Sequence, residues 1–310
     1  MFRRDLLKML ASTSFGAGIL AAGDRGLTGA AAGRVVTAKR APAAEIETDD
    51  GTRLFLRDWG AGRPLVFVHG WSLASEAWQY QMIHLAGRGL RCVAYDRRGH
   101  GRSSDPGRGY DYDRLADDLA AVIEGLDLRH VVLVGQSMGA GDVVRYLARH
   151  GGRRVDRAVL VSPATPFLLK TADNPDGVDR RHFDAVIAKL CADLPKWMAD
   201  NAAPYFLPET PPETFQWGFR MGYQASLKAL VDGYRTLTET DLRAELRALT
   251  TPTVVIHGDR DHSAPLELTG RRTAALIPGC ELRVYEGAPH GLFITHMDRL
   301  NRDLEQIASS

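Results

Sequence analysis

The chain has 310 residues, which is enough for one large α/β domain or two small ones with an enclosed pocket. Its composition of 45% hydrophobic and 25% charged residues is ordinary for a globular enzyme. Because 39 Lys and Arg residues nearly balance 38 Asp and Glu residues, no net field attracts nucleic acid or an anionic membrane, and we expect neither as a partner.

The first 32 residues differ from the rest of the chain. Arg3 and Arg4 precede a weakly apolar, Gly- and Ala-rich stretch from Met9 to Ala22, and small residues follow at 30–32. This pattern resembles a twin-arginine export signal, and the stretch is too short and too rich in glycine to span a bilayer. We therefore expect an exported protein, periplasmic or extracellular, without stable membrane insertion. A permanent anchor and a disordered tail are the alternatives.

A linker at residues 33–44 is expected to precede the folded domain at 45–310. Apolar residues flank the turn signal Asp49-Asp50-Gly51, which predicts an opening β-hairpin from Glu45 to Trp59. Short continuous apolar runs then recur, as in strands that helices cover on both faces. The runs are Leu65 to Val68, Cys92 to Tyr95, Val131 to Val134, Ala158 to Val161, Thr253 to Ile256 and Leu282 to Tyr285.

Helical patterns lie between these runs. Apolar residues spaced from Leu115 to Leu126 keep one face of a helix apolar, with Asp113 as its predicted N-cap, and a second helix follows through Val143 to Leu147. The alternation of strand, helix and strand predicts a mostly parallel, doubly wound α/β sheet.

The interval between Ala158 and Thr253 is about three times the 30 or so residues of one βαβ unit. The surplus, from about residue 164 to 235, is rich in Pro and aromatic residues, and we interpret it as a helical cap inserted in the sheet. A cap over a sheet edge commonly encloses an apolar pocket. We expect most of its rings to pack the cap and a minority to touch the ligand.

The segment Gly135-Gln136-Ser137-Met138-Gly139 lies between a predicted strand and a predicted helix. Its two glycines allow a sharp turn that exposes the serine hydroxyl and directs the next N–H toward the helix N-terminus. We therefore predict that Ser137 is a nucleophile. The alternative is a turn serine with no catalytic role.

A nucleophilic serine needs a base to accept its proton, and the base needs an acid to orient it. In this strand–turn–helix context the acid and then the histidine follow the serine along the chain. His290 lies past the last predicted strand and is the predicted base. For the acid we favour Asp261 over Asp259, because the acid usually sits a few residues beyond its strand. We interpret His257 and His296 as structural.

An oxyanion hole needs preorganised N–H donors, one after the nucleophile and one in the loop after an early strand. The backbone N–H of Met138 meets the first requirement. The run ending at Val68 leads into His69-Gly70-Trp71, so the Trp71 backbone N–H is predicted to be the second donor. Trp71 as a core aromatic residue is the alternative.

Five segments carry a family resemblance: His69-Gly70-Trp71, Tyr95 to Ser104, Gly135 to Gly139, Thr171 to Gly177 and Gly287 to Gly291. Together they resemble the cofactor-free bacterial haloperoxidase and arylesterase group of α/β-hydrolases, over about residues 46–308. The resemblance implies a triad of Ser137, Asp261 and His290, with Trp71 and Met138 as oxyanion donors. It also implies esterase activity, with a side reaction in which peroxide intercepts the acyl-serine and the resulting peracid oxidises halide.

Three positions depart from that family pattern. Many relatives have Pro after the oxyanion Trp, where this chain has Ser72, and this difference argues against efficient perhydrolysis. Relatives often carry Phe before the serine, where this chain has Gln136. They also often carry Gly-Gly-Gly-Glu after the methionine, where Gly139-Ala140-Gly141-Asp142 stands here. The more polar turn indicates a different acyl group.

Our first hypothesis is hydrolysis of a carboxylic ester or lactone through an acyl-serine, with a small-molecule ester as substrate. The alternatives are other chemistry of the same triad, such as carbon–carbon bond hydrolysis, and a ligand-binding protein with a silent triad. Epoxide hydrolase or dehalogenase chemistry is disfavoured because it needs a carboxylate at position 137. The sequence leaves a homo-oligomer open.

No cofactor or metal is expected, because the sequence has no His-Glu-x-x-His motif, no dinucleotide fingerprint and no phosphate-binding loop. Cys92, Cys191 and Cys280 are odd in number and contain no Cys-x-x-Cys pair, so they predict neither a disulfide framework nor a zinc ribbon. We expect all three to be buried as small hydrophobic side chains.

Overall fold

The structure is a computed structural model that describes residues 44–309. The predicted export segment at 1–32 and all but the last residue of the predicted linker lie outside the described residues. Within the described part, an eight-stranded sheet has the order β1-β2-β4-β3-β5-β6-β7-β8. The strands are β1 (Glu45–Glu47), β2 (Arg53–Gly60), β3 (Pro64–Val68), β4 (Arg91–Tyr95), β5 (Val131–Gln136), β6 (Val155–Val161), β7 (Thr253–Gly258) and β8 (Glu281–Tyr285).

The pairing of these strands confirms the mostly parallel sheet. β2 pairs antiparallel with β1 and with β4, and the predicted hairpin places Ile46 opposite Leu54. The remaining strand pairs are parallel, with Leu65 of β3 opposite Val132 of β5, for example. Every residue of β3, β5 and β7 is buried, because helices cover both faces of the sheet centre.

Eleven α-helices occur in the described part of the chain. They are α1 (Gln79–Ala86), α2 (Tyr112–Gly125), α3 (Met138–His150), α4 (Arg180–Ala192), α5 (Leu194–Asn201), α6 (Pro212–Tyr223), α7 (Leu227–Glu239), α8 (Arg243–Ala248), α9 (Gly270–Leu276), α10 (Leu292–Thr295) and α11 (Met297–Ser309). Short 3-10 turns lie at Ser75–Trp78 and Ala203–Tyr205. No helix of residues 44–309 is both long and apolar enough to cross a membrane.

The sheet separates two hydrophobic cores. On one face, α2 and α3 pack side chains such as Leu119 and Val143 against β3 and β5. On the other face, α1 and α11 contribute Leu85 and Leu304. This arrangement places the carboxyl ends of the parallel strands at one edge, where the loops after β3, β5, β7 and β8 meet.

The start of α2 differs from its prediction. The N-cap is Asp111, whose carboxylate accepts a hydrogen bond from the Arg114 N–H at 3.0 Å. Asp113 lies inside the first turn and pairs with Arg145 at 2.9 Å. The helix begins earlier than predicted because Tyr112 is buried in the core and extends its apolar face.

Five α-helices of the described chain lie between β6 and β7, and the first four of them, α4 to α7, occupy the region where the sequence predicts the inserted cap. We call these four helices and the turn Ala203–Tyr205 the cap. Two small clusters fill its interior: in one, Phe183 of α4 packs against Phe167 of the segment before α4, and the other is centred on Met198 and Leu230. The cap thus has little core of its own and depends on contacts with the loops of the sheet.

The cysteines are free, and the prediction that all three are buried is wrong for two of them. Cys92 is buried on β4, Cys280 is partly exposed, and Cys191 is exposed on α4, whose outer face it occupies. Burial raises the pKa of Cys92 to about 12 and that of Cys280 to about 11, so both thiols stay protonated at neutral pH.

Candidate active site

Ser137 lies on a strained turn between β5 and α3. Its φ of 54° and ψ of −117° are a conformation that residues other than glycine rarely adopt. The turn is fixed by backbone hydrogen bonds: Ser137 N donates to Val161 O at 3.0 Å, and Ser137 O accepts from Ala140 N at 3.1 Å. The backbone therefore holds the serine side chain at the carboxyl end of the sheet.

The glycines on either side of this serine are required by close packing. A Cβ atom at Gly135 would lie 2.4 Å from the Gly139 carbonyl oxygen. A Cβ atom at Gly139 would lie 2.6 Å from the Val68 carbonyl oxygen. A larger residue at Gly135 would push β5 away from the start of α3, and one at Gly139 would push α3 away from the end of β3.

His290 and Asp261 are hydrogen-bonded to each other. The loop after β8 carries His290, whose Nδ1 lies 2.7 Å from Oδ2 of Asp261 in the loop after β7. Oδ1 of the same carboxylate accepts from the Ser263 N–H at 3.0 Å and the Ala264 N–H at 2.7 Å. Both side chains are buried, so the loop fixes the carboxylate and the carboxylate fixes the imidazole.

The environment of Asp261 favours its ionised form. Burial alone would raise the pKa of Asp261, but the His290 charge and the hydrogen bonds from His257 and His290 hold it well below its usual range. The alternative acid, Asp259, accepts a hydrogen bond from the Gly287 N–H at 2.7 Å and shapes the loop that carries His290. The structure therefore brings Asp261, and not Asp259, against the imidazole.

His257 contacts the site more directly than its interpretation as a structural residue suggests. Its Nε2 lies 3.0 Å from Asp261 Oδ2 and 2.9 Å from the Ala264 carbonyl oxygen. Because both neighbours are acceptors, Nε2 carries a hydrogen. The sequence signal was the position of His257 near the end of β7, four residues before the acid. His296 contacts Thr295 instead, through Nδ1 at 2.9 Å.

Two backbone N–H groups near Ser137 have no hydrogen-bond acceptor within residues 44–309. They belong to Met138, the first residue of α3, and to Trp71 in the loop after β3. The Trp71 side chain points into the cap, where Nε1 donates to Leu230 O at 2.8 Å and the ring packs edge-on against Trp197 at 5.5 Å. The side chain of Trp71 therefore holds the cap. Its backbone N–H makes no hydrogen bond in the described chain and is available to an oxyanion.

A buried ion pair holds the loop that carries Trp71. The Arg97 guanidinium donates to the His69 carbonyl oxygen at 2.7 Å and to Asp142 Oδ2 on α3 at 2.7 Å. Burial opposes the charge of Arg97, but Asp142 beside it keeps the Arg97 pKa raised. The sequence indicated Asp142 only as a family departure, because the pairing joins segments 45 residues apart.

Ser137 and His290 both line a cavity of about 500 Å³ beneath the cap. The rest of its wall is mainly aromatic and aliphatic, and no Asp, Glu, Lys or Arg of the described chain lines it. Ser137 Oγ makes no hydrogen bond within the described chain; in enzymes without substrate such bonds are often long and shorten in the complex. Residues 44–309 contain no group of three His, Cys, Asp or Glu that could hold a metal ion.

The fold is that of an α/β hydrolase, and comparison with known proteins agrees. The model of the alpha/beta hydrolase fold family matches residues 63–297, so the chain belongs to this family. It is 41% identical over 264 residues to a non-heme chloroperoxidase from Kitasatospora aureofaciens, covering 83% of this chain and 96% of that protein. It is 37% identical over 268 residues to a bifunctional esterase/perhydrolase from Acinetobacter calcoaceticus, covering 84% of this chain and 97% of that protein.

Solved structures give the same result. An esterase from Exiguobacterium antarcticum matches with a TM-score of 0.83 at 31% identity, and a bromoperoxidase from Bacillus anthracis with 0.83 at 32%. Each match covers 86% of this chain and 99% of the other. These findings confirm the family and fold predicted from the sequence, and the chain is therefore an α/β hydrolase.

Proposed function

We propose that the protein is a serine hydrolase that cleaves carboxylic esters, including lactones, through an acyl-serine intermediate on Ser137. The observation that supports this most strongly is the 2.7 Å hydrogen bond between His290 and Asp261, on a cavity whose wall also carries Ser137. The names of the relatives, an esterase and an esterase/perhydrolase among them, favour the same reaction.

In the proposed acylation step, His290 Nε2 accepts the hydroxyl proton as Ser137 Oγ attacks the carbonyl carbon. The negative charge that develops on the carbonyl oxygen is stabilised by the N–H groups of Trp71 and Met138. When the tetrahedral intermediate collapses, the alcohol leaves with the proton from His290. Asp261 keeps the imidazole oriented and stabilises its positive charge.

In the proposed deacylation step, water attacks the acyl-serine while His290 again accepts a proton. If hydrogen peroxide attacks instead, the products are a peracid and free Ser137, and the peracid oxidises halide in solution. Ser72 adopts a φ of 60°, which a proline ring cannot adopt, so this loop differs from one with Pro at that position. We expect perhydrolysis to be slower than hydrolysis.

The cavity favours an uncharged substrate. Its wall is mainly aromatic and aliphatic, and the described residues that line it include His182 and His262 beside His290 but no Asp, Glu, Lys or Arg. A cationic group would lose its hydration there without gaining a carboxylate partner, and an anionic group would find no Lys or Arg. We therefore expect neutral esters to be cleaved faster than charged analogues of similar size.

A fluorophosphonate probe and a set of neutral p-nitrophenyl esters test this function. We expect the probe to label the wild type, and Ser137→Ala to lose both labelling and hydrolysis while unfolding at a similar temperature. Asp261→Asn and Asp259→Asn form a matched pair, of which only the first should lower kcat by about a thousandfold or more. A folded wild type that is neither labelled nor active would favour the ligand-binding alternative.

Carbon–carbon bond hydrolysis makes a different prediction. The wild type would then be labelled by the probe but would cleave a vinylogous diketone faster than any ester of matched size. Faster ester cleavage supports the proposed function.

We also propose export by the twin-arginine route, which rests on the sequence at Arg3 and Arg4 alone. The double variant Arg3→Lys/Arg4→Lys should accumulate in the cytoplasm of a bacterial host, whereas the wild type should reach the periplasm or the medium. Equal distribution of the two proteins would contradict this proposal.

A further inference from the structure

Tyr205 is the point where the cap meets the loop of the proposed catalytic histidine. Its ring lies edge-on to the His290 ring, with centroids 5.0 Å apart and planes at 79°. Its carbonyl oxygen accepts a hydrogen bond from the Gly291 N–H at 2.8 Å, and its ring also lies 6.4 Å from that of Phe293. One cap residue therefore contacts this loop through both its backbone and its side chain.

The hydroxyl of Tyr205 is buried beside a second buried polar group, the amide of Gln136. Tyr205 Oη and both polar atoms of Gln136 make no hydrogen bond within the described chain, although Gln136 is only 1% exposed. Burial raises the pKa of Tyr205, the charge of Asp261 raises it further, and Gln136 lowers it. The lowering shows that the Gln136 amide is a neighbour of the phenol oxygen, and Nε2 is the only atom of that amide that could donate a hydrogen bond to it.

The other end of the Gln136 amide faces the oxyanion loop. A Cβ atom at Gly70 would lie 2.2 Å from Gln136 Oε1 and 3.2 Å from Ser137 Cβ. Oε1 therefore occupies the space over Gly70, the residue before Trp71. The Gln136 side chain thus extends from Tyr205 of the cap to the loop of the second oxyanion donor, directly behind Ser137.

We propose that Tyr205 and Gln136 are a pair of positioning residues for the hydrolysis proposed above. Tyr205 sets the orientation of the His290 ring, and Gln136 sets the position of Gly70 and Trp71. Buried polar groups without partners are costly, so the two side chains gain by making the Tyr205–Gln136 hydrogen bond when substrate orders the site. The pair then couples the cap both to the proposed base, His290, and to the loop of the proposed oxyanion donor, Trp71.

This proposal predicts that the two residues act as a unit in kcat. Tyr205→Phe removes only the hydroxyl, and Gln136→Met replaces the amide by an apolar side chain of similar length. We expect each to lower kcat about tenfold with KM changed by less than about twofold, because positioning acts on the transition state. The double variant should fall no further than the lower single variant, because both remove the same contact.

Tyr223→Phe is the matched control. Tyr223 is a half-exposed cap tyrosine that stacks on Phe219 and does not line the cavity, so losing its hydroxyl should leave kcat unchanged. Each kcat is calculated per active serine, and the concentration of active serine is measured by titration with the fluorophosphonate probe. A merely structural role would lower the titratable fraction or the unfolding temperature but leave kcat for each titrated serine unchanged.

The outcomes separate this inference from the function on which it rests. If the wild type neither reacts with the probe nor hydrolyses esters, the proposed function fails and the positioning pair fails with it. If the wild type is active and both single variants match it, or if their effects multiply in the double variant, only the pair is refuted. If Tyr205→Phe does not fold, Gln136→Met tests the proposal alone, because Gln136 lies on β5 and not in the cap.

Discussion

His257 Nε2 lies 3.0 Å from Asp261 Oδ2, the same carboxylate oxygen that lies 2.7 Å from His290 Nδ1. One oxygen therefore faces two imidazoles, while the other accepts two backbone N–H groups. A buried carboxylate with several donors is held both ionised and in one orientation. His257 is thus part of the support that keeps Asp261 aligned with His290.

This relationship predicts that a donor at position 257 matters more than an imidazole as such. His257→Leu should lower kcat about tenfold, because Asp261 loses one donor and the restraint it provides. His257→Gln keeps an amide N–H within reach and should retain more activity than His257→Leu. The measurement is steady-state kcat for a neutral ester, and equal losses in the two variants would contradict the prediction.

Acid stability should depend on Asp261. Its pKa is lower in the folded protein than in the unfolded chain, where it is about 3.9, so the unfolded chain binds the proton more readily. The stabilisation is present above that unfolded value and is lost as the pH falls below it toward the folded pKa. We expect the free energy of unfolding of the wild type to fall more steeply than that of Asp261→Asn over this range. Urea denaturation at several acidic pH values gives the change of the free energy of unfolding with pH for both proteins. Equal slopes would refute the assignment of this pH dependence to Asp261.

The Arg97–Asp142 pair should separate stability from activity. Asp142→Asn leaves a buried guanidinium without its counter-charge and should lower the free energy of unfolding by about 3 kcal/mol. The double variant Arg97→Met/Asp142→Leu should recover much of that stability, because no buried charge remains. Its kcat should stay low, because the His69 carbonyl oxygen loses the donor that anchors the loop of Trp71, the proposed oxyanion donor.

Chemical denaturation and ester hydrolysis measured on the same samples check this pair. Full activity in the stable double variant would show that the ion pair is not needed to place the loop of Trp71.

The sheet and the order of the proposed triad could be predicted because their signals are local. Continuous apolar runs identify buried parallel strands, and the pattern with Gly135 and Gly139 identifies a tight turn, because a Cβ atom at either of these two positions would clash. The contacts of Tyr205 with His290, and of Asp142 with Arg97, have no local signal. They join residues 85 and 45 positions apart and depend on how the cap and α3 pack. The α2 N-cap was misplaced because Asp111 and Asp113 offer the same capping chemistry, and only the burial of Tyr112 distinguishes them.

The turn at Ser137 should store strain that glycine would relieve. With φ at 54° and ψ at −117°, a residue with a Cβ atom is held in a region that costs about 1–3 kcal/mol, whereas glycine adopts it freely. Ser137→Gly should therefore be inactive yet more stable than the wild type, by about 1 kcal/mol after the greater flexibility of glycine in the unfolded chain offsets part of the gain. Ser137→Ala is the control, because it removes the hydroxyl and keeps the strained Cβ. Urea denaturation of the three proteins should rank Ser137→Gly above Ser137→Ala, and the reverse order would mean that the turn is not strained.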